Sequence, residues 1–373
     1  RLDTSKVSEG YQGPAMFWVG KHWYQQGNFI LARAYLSLVP SGTEYYAEAR
    51  MLEGIAFTQE GTPAQAVAPL TAAVAAADAD TAKSNVWEVA NLNLGRTYYA
   101  LGNFERAIEH FEATPRASTL WFESLYEASW AYFQLGRLSG ALSHLQTVDS
   151  PFFDDVYHPD ATLLRILIFY YLCKYIDGQE MLKDFTVEHY EILEGLEKAI
   201  AKAERDPTEL FDSLYAWKSA RKDSGIKLPE SVKQYFSTDE SLLRIGDYVA
   251  GIDAEMAAID RSRTGWERSA LRKDLGEALT KRKRDATNDK GREVLARLRG
   301  MQAVLAAHLG SAEIYKVEMI TAEKDIYDAA YRGKIMEKVA KRNLDPRVPE
   351  GYRYWPFEGE YWLDEIGWYE VNT

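Results

Sequence analysis

The sequence predicts an all-α protein: an α-solenoid of stacked helical hairpins, then a long antiparallel coiled-coil hairpin, then an aromatic C-terminal tail. Three observations predict it. A glycine-anchored pattern recurs through the first half at a spacing near 34 residues. A heptad stripe of apolar residues runs through the second half. Strand signals are almost absent throughout.

The repeats come first. Gly20, Gly54, Gly95 and Ser129 are small anchors, 34, 41 and 34 residues apart, each inside an apolar helix-like run. Each is followed by an aromatic (Trp23, Phe57, Tyr98, Tyr132) and then a glycine (Gly27, Gly61, Gly102, Gly136). An alanine follows (Ala32, Ala66, Ala107, Ala141), and a large apolar residue closes the unit (Leu36, Leu70, Phe111, Leu145). Small residues let two antiparallel helices approach, the aromatics fill the gaps between hairpins, and the glycine supplies the left-handed residue that ends the first helix. A hairpin of this size cannot bury its apolar face alone, so successive hairpins stack. The seven extra residues before the third anchor predict a longer turn at Asp78–Thr81. Pro159 to Phe185 reads as a fifth, degenerate hairpin that turns at Gly178 and lacks the small anchor.

This order of small, aromatic, small and large residues resembles the tetratricopeptide repeat family over roughly residues 12 to 185. The resemblance implies a binding scaffold whose concave face is lined by the first helix of each repeat. Counted from the anchors, the inward positions are Phe17, Lys21 and Tyr24; Met51, Ile55 and Thr58; Leu92, Arg96 and Tyr99; Tyr126, Trp130 and Phe133. Aromatic and arginine side chains are what binding hot spots favour. The expectation is a protein or peptide partner bearing apolar or aromatic groups, with Lys21 or Arg96 pairing a carboxylate. Asn93 and Arg96 match the family's carboxylate clamp only loosely, so capture of a C-terminal carboxylate is not expected.

Residues 189–235 read as connecting helices, broken at Asp206-Pro207 and at Gly225 to Pro229. From Thr238 the period changes. Ile245, Val249, Ile252, Met256 and Ile259 alternate steps of four and three, continuing after Arg263 to Trp266 and Ala270. Leu298, Met301, Leu305, His308, Ala312, Tyr315, Met319, Ala322, Ile326, Ala329, Gly333 and Met336 extend the stripe. Between them Thr287-Asn288-Asp289-Lys290-Gly291 has turn composition. Arms of 240–286 and 291–339 around it predict an antiparallel hairpin within a domain at 236–343. Lys281, Arg282, Lys283 and Arg284 would form a basic tip able to contact phosphate or anionic headgroups, or simply a solvated face. The aromatic tail at 344–373 holds Tyr352, Tyr354, Trp355, Phe357, Tyr361 and Trp362. It is expected to dock on the helical body, with a short helix at Leu363 to Tyr369.

Composition narrows the function classes. The chain has 373 residues, 46 % hydrophobic and 27 % charged, with a formal net charge of -12. That balance disfavours nucleic acid as a partner of the whole chain. Residues 1–190 hold 13 basic and 22 acidic side chains, so the solenoid half (1–188) carries most of the acidity. Cys173 is the single cysteine; in its apolar run it reads as a buried inert thiol. No run is long and apolar enough for a spanning helix. The chain opens on Arg1, and the expectation is that a native N-terminus, with any signal peptide or lipid anchor, lies upstream.

Catalytic chemistry finds no footing. His308 lies on the stripe as a hydrogen-bonded core residue. His22, His110, His144, His158 and His189 share no spacing for a metal or a triad. Asp154-Asp155 and Glu358 with Glu360 fall in loops, and no phosphate-binding glycine loop occurs. The expectation is no cofactor, no metal and no enzyme activity.

Two stretches, Pro151-Phe152-Phe153 through Pro159 to Cys173, and Trp355 to Trp362, are similar to those of exported deltaproteobacterial proteins that join such repeats to a coiled coil. Some of these are linked to gliding motility. That similarity implies a periplasmic or outer-membrane lipoprotein scaffold of the cell envelope, with a cytoplasmic location as the alternative. Two other roles remain open: regulating an envelope enzyme such as a cell-wall hydrolase, or self-assembling through the coiled coil with the repeats as a docking base.

Overall fold

The computed structural model describes residues 9–78, 84–154, 156–219, 225–236, 239–261, 269–331, 358–371 and 373, and among them it contains no strand. The chain forms two compact units, Arg1–Phe153 with Asn343–Thr373, and Asp154–Arg342.

The first unit is an all-α solenoid of four hairpins: α1 (Glu9–Gln25) with α2 (Phe29–Leu36), α3 (Tyr46–Gln59) with α4 (Pro63–Asp78), α5 (Ser84–Ala100) with α6 (Phe104–Glu112), and α7 (Trp121–Gln134) with α8 (Leu138–Val148). The repeat residues do what their chemistry requires. Ala32, Ala66, Ala107 and Ala141 have no exposure, and neither do Leu36, Leu70 and Leu145. A methyl group on Gly20 would stand 2.6 Å from Leu36, and one on Gly95 would stand 2.6 Å from Phe111, so the anchors are glycine because the closing residue fills their space. Ser129 is the exception: its hydroxyl is fully buried and donates to the Leu125 carbonyl at 2.8 Å. Each hairpin turns on a left-handed glycine, with φ of 72°, 73°, 74° and 68° at Gly27, Gly61, Gly102 and Gly136. At each turn the glycine N–H bonds the carbonyl three residues back, and the next N–H bonds the one five back. These two bonds satisfy carbonyls the helix end would leave open.

Of the extra turn expected at Asp78–Thr81, Asp78 ends α4 and residues 79–81 lie outside the described residues. The tail is described from Glu358. There it docks on the fourth hairpin: Gly367 N–H donates to Thr147 Oγ1 at 3.0 Å, Gln146 Nε2 donates to Tyr361 Oη at 3.2 Å, and Ile366 is buried. Residues 363–367 form turns rather than the expected short helix. Trp362 and Trp368 stay largely exposed.

The second unit holds α9 (Pro159–Tyr171), α10 (Tyr175–Ala203), α11 (Pro207–Lys218), α12 (Glu230–Tyr235), α13 (Glu240–Arg261) and α14 (Ala270–Tyr331). The fifth hairpin is present, but its turn is not at Gly178. Cys173 takes the left-handed position at φ 57°, with the same two turn bonds as the four glycines. The thiol therefore points from a turn and is exposed, not buried. Gly178 lies inside α10, where a methyl group would meet Met319 at 2.6 Å; its smallness serves the approach of α14. Ile166, seven residues before Cys173, replaces the small anchor and has no exposure. α10 runs unbroken across residue 188, so no domain ends there.

The largest correction concerns Thr287–Gly291. These five residues are helical, inside the 62-residue α14, and the expected equal-armed hairpin does not form. Tertiary contacts override their turn preference. Thr287 is buried by the packing, its hydroxyl satisfied within the helix by the Lys283 and Arg284 carbonyls at 3.1 Å. Lys290, only 4 % exposed, donates to Ser241 Oγ at 2.6 Å and Glu293 at 2.7 Å. Gly291 packs on the Pro207 backbone, where a Cβ would overlap the carbonyl. The chain reverses instead between α13 and α14. Ion pairs of Lys283 with Asp253 (2.6 Å) and Arg272 with Asp260 (2.8 Å) fix the antiparallel register.

The heptad stripe itself is real. Leu298, Leu305, Ala312 and Met319 are buried, and Met301, His308, Tyr315 and Ala322 are half-buried. Its helix packs on α9, α10, α11 and the shorter α13 rather than on a second arm of equal length. Arg299 with Glu204 and Glu323 with Gln179 run α10 antiparallel to it. His308 is a bonded core residue, its Nε2 2.6 Å from Asp160. Arg263, Trp266, Gly333 and Met336 lie outside the described residues.

Candidate partner-binding face

The solenoid's first helices are its inner face. α1 touches α3, α3 touches α5 and α5 touches α7, while the second helices make no comparable contact with one another. Helices that meet their next-repeat equivalents lie on the shorter arc, so α1, α3, α5 and α7 line the concave side.

Of the positions expected there, Phe17 is not available. It is 1 % exposed and stacks on Tyr45 with centroids 4.8 Å apart. Leu92 is buried as well. Tyr24, Met51, Ile55, Thr58, Tyr99, Tyr126, Trp130 and Phe133 are half-buried. The aromatics brace one another edge-on. Trp130 lies 5.9 Å from Phe133 and donates its indole N–H to Tyr126 Oη at 2.9 Å. Tyr99 meets Phe104 at 5.2 Å, and its hydroxyl lies 3.5 Å from Gln134 Nε2. Such bracing fixes rotamers in advance, which lowers the entropy cost of binding. Tyr24 lies apart from this band, packed on the first-repeat core and edge-on to Phe29.

The electrostatics differ from the sequence expectation. Lys21 does not await a partner's carboxylate: its Nζ donates to Glu48 at 2.7 Å and sits 5.3 Å from the rings of Phe17 and Trp18. Arg96 grips Glu127 of the next repeat, with Nε 2.8 and 2.9 Å from its two oxygens and Nη2 2.5 Å from one. Both cations are therefore neutralised within the chain. Glu48, Glu123 and Glu127 are the residues that sequence reasoning missed. A signal existed, since Lys21 and Arg96 each follow their anchor by one, while Glu48 and Glu123 each precede the next anchor by six. Reading charges in repeat phase would have paired Lys21 with Glu48, but it points Arg96 to Glu123 where the structure gives it Glu127.

The basic run of α14 has a different setting from the expected tip. Lys281, Arg282 and Arg284 are exposed on the second unit, about three turns into α14, and Lys283 is half-buried against Asp253. They do not adjoin the solenoid positions in sequence or in unit. Among the described residues no group of three or more His, Cys, Asp or Glu could hold a metal, and no helix is long and apolar enough to cross a membrane.

No protein-family model matches the chain, and no curated protein matches it. Among solved structures, it is similar to a Podosopora anserina putative kinesin light chain with nearly identical TPR-like repeats. That pair shares 17 % identity and a TM-score of 0.39, over 48 % of this chain and 95 % of the other. A single-substitution variant of the same repeats gives 18 % identity and 0.38, with the same coverage. By its own helix pairing, anchor contacts and repeated turns, the first unit is a tetratricopeptide-like α-solenoid.

Proposed function

We propose that the protein is a non-enzymatic interaction scaffold whose first unit holds an extended or helical partner segment on its concave face. One observation carries this: Tyr99, Tyr126, Trp130 and Phe133 form a braced, half-buried aromatic band there. Rigid aromatics at partial exposure are the side chains that dominate binding energy when a partner covers them. The second unit acts as a spacer or second contact. A specific observation favours contact: the outward side of α14 leaves Ile314, Val317 and Tyr327 about 60 % exposed.

The similarity of two stretches to exported envelope proteins extends the proposal to an envelope location, which fractionation of the source cells tests directly. For the binding role, the test is a crosslinked pull-down with the full chain beside a Tyr99→Ala/Trp130→Ala variant of unchanged helicity. A partner recovered by the first and lost by the second supports the concave face. Equal recovery by both rejects it and moves the contact to α14.

A further inference from the structure

The charge of the concave face specifies the kind of segment it holds. Lys21 and Arg96 occupy equivalent places in their repeats, and Glu48 and Glu123 are the equivalent acids of the repeats that follow. The α1–α3 contact is balanced, one lysine on one glutamate at 2.7 Å. The α5–α7 contact is not. Arg96 directs its hydrogen bonds to Glu127, and Glu123 makes no hydrogen bond or ion pair among the described residues. Glu123 is half-buried one helical turn from Tyr126 and two from Trp130. Burial raises its pKa; Arg96 opposes the rise and Glu127 adds to it. Glu123 and Glu127 share the single Arg96 guanidinium, whose hydrogen bonds all go to Glu127; a half-desolvated carboxylate left in that state is costly to keep ionised, and an arriving cation would relieve the cost.

The rings around it suit the same visitor. Tyrosine and tryptophan faces attract ammonium and guanidinium groups. The wider field agrees, since residues 1–153 carry ten Lys and Arg against fifteen Asp and Glu. An acidic segment would meet Glu123 and Glu127 with the local cation, Arg96, already engaged, which like charges make unfavourable.

We propose that the occupant of this face is a basic, apolar-spaced peptide segment. A lysine or arginine of that segment seats against Glu123 and Glu127, over the rings of Tyr126 and Trp130. This rests on the concave-face reading above and reverses the charge expected from the sequence.

The test uses a random 12-residue peptide library panned on the full chain and counter-selected on the Tyr99→Ala/Trp130→Ala variant of unchanged helicity. The expected result is selected peptides of net positive charge. Their affinity should fall about fivefold to tenfold with Glu123→Gln and weaken further from 50 to 500 mM salt. Neutral or acidic peptides, or affinity indifferent to Glu123→Gln, would overturn the charge inference while leaving the face intact. Peptides that bind wild type and the aromatic variant alike, or no enrichment at all, would instead sink the concave-face reading and this inference with it.

Discussion

Gly291 of α14 lies against the Pro207 carbonyl at the start of α11, with no space for a methyl group between them. Both sides of the clash are backbone, so neither can rotate away. Gly300, nine residues along the same helix, has nothing near its Cβ position. Gly291→Ala should therefore lower stability by about 1–3 kcal/mol through overpacking. Gly300→Ala should raise it by about 0.5–1 kcal/mol through helix entropy. Urea unfolding of the two variants reads both, and equal shifts would contradict the packing.

Arg96 and Glu127 link the first helices of two repeats, and Glu123 sits beside them within the field of Arg96 but without a hydrogen bond to it. Removing the guanidinium with Arg96→Ala should strengthen binding of a cationic peptide and weaken the fold, by about 1 kcal/mol for so exposed a pair. Glu123→Gln should act oppositely on both. Its folded pKa lies above the unfolded one, so its favourable contribution exists at low pH and is lost as pH rises through the folded value. At pH 7 the glutamine variant should melt higher than wild type, and the gain should vanish below the ordinary glutamate pKa. A lower melting temperature at pH 7 would show that Glu123 is paired after all.

Cys173 holds the backbone conformation that four glycines hold in the other hairpins. Cys173→Gly should stabilise the second unit by about 0.5–1 kcal/mol, the left-handed penalty less glycine's extra chain entropy. The wild-type thiol should react with a disulfide reagent in native buffer. A thiol that reacts only in denaturant would contradict the turn.

His189 is 5 % exposed, stacked 3.9 Å from Phe185, with Nδ1 2.8 Å from the Phe185 carbonyl. Burial lowers its pKa, and burial lowers that of His158 also. Both contribute stability that is complete above about pH 6.5 and is lost as pH falls from there, at about 1.4 kcal/mol per pH unit for each proton taken up. The urea midpoint of the second unit should thus drop between pH 7.5 and 5.5. His189→Phe should flatten that dependence, and an unchanged slope would exclude His189 as its source.

Much of the solenoid was legible because its rules are local. Alanine, leucine and left-handed glycine fall at fixed offsets, and each lands where the packing needs it. The second unit was legible in pattern but not in partner. The stripe from Leu298 to Met319 predicts burial correctly, yet periodicity cannot say which helix covers it. Gly178 and Gly291 misled for one reason: glycine serves both a turn and a close helix approach, and only the tertiary neighbour, Met319 or Pro207, decides which. Cys173 misled in reverse, since an apolar run conceals a turn whose residue is not glycine. At the concave face the aromatics could be read one repeat at a time, whereas the fate of Lys21 and Arg96 depended on acids 27 and 31 residues away.

The central claim is that a partner lies on the α5–α7 face, and site-specific photocrosslinking tests it most directly. A photoreactive phenylalanine analogue replaces Tyr99 in one full-length protein and the exposed Arg282 of α14 in another. Each is irradiated with the partner bound. A crosslink from position 99 and none from 282 is the expected result. A crosslink from 282 alone would contradict it and assign the contact to the second unit.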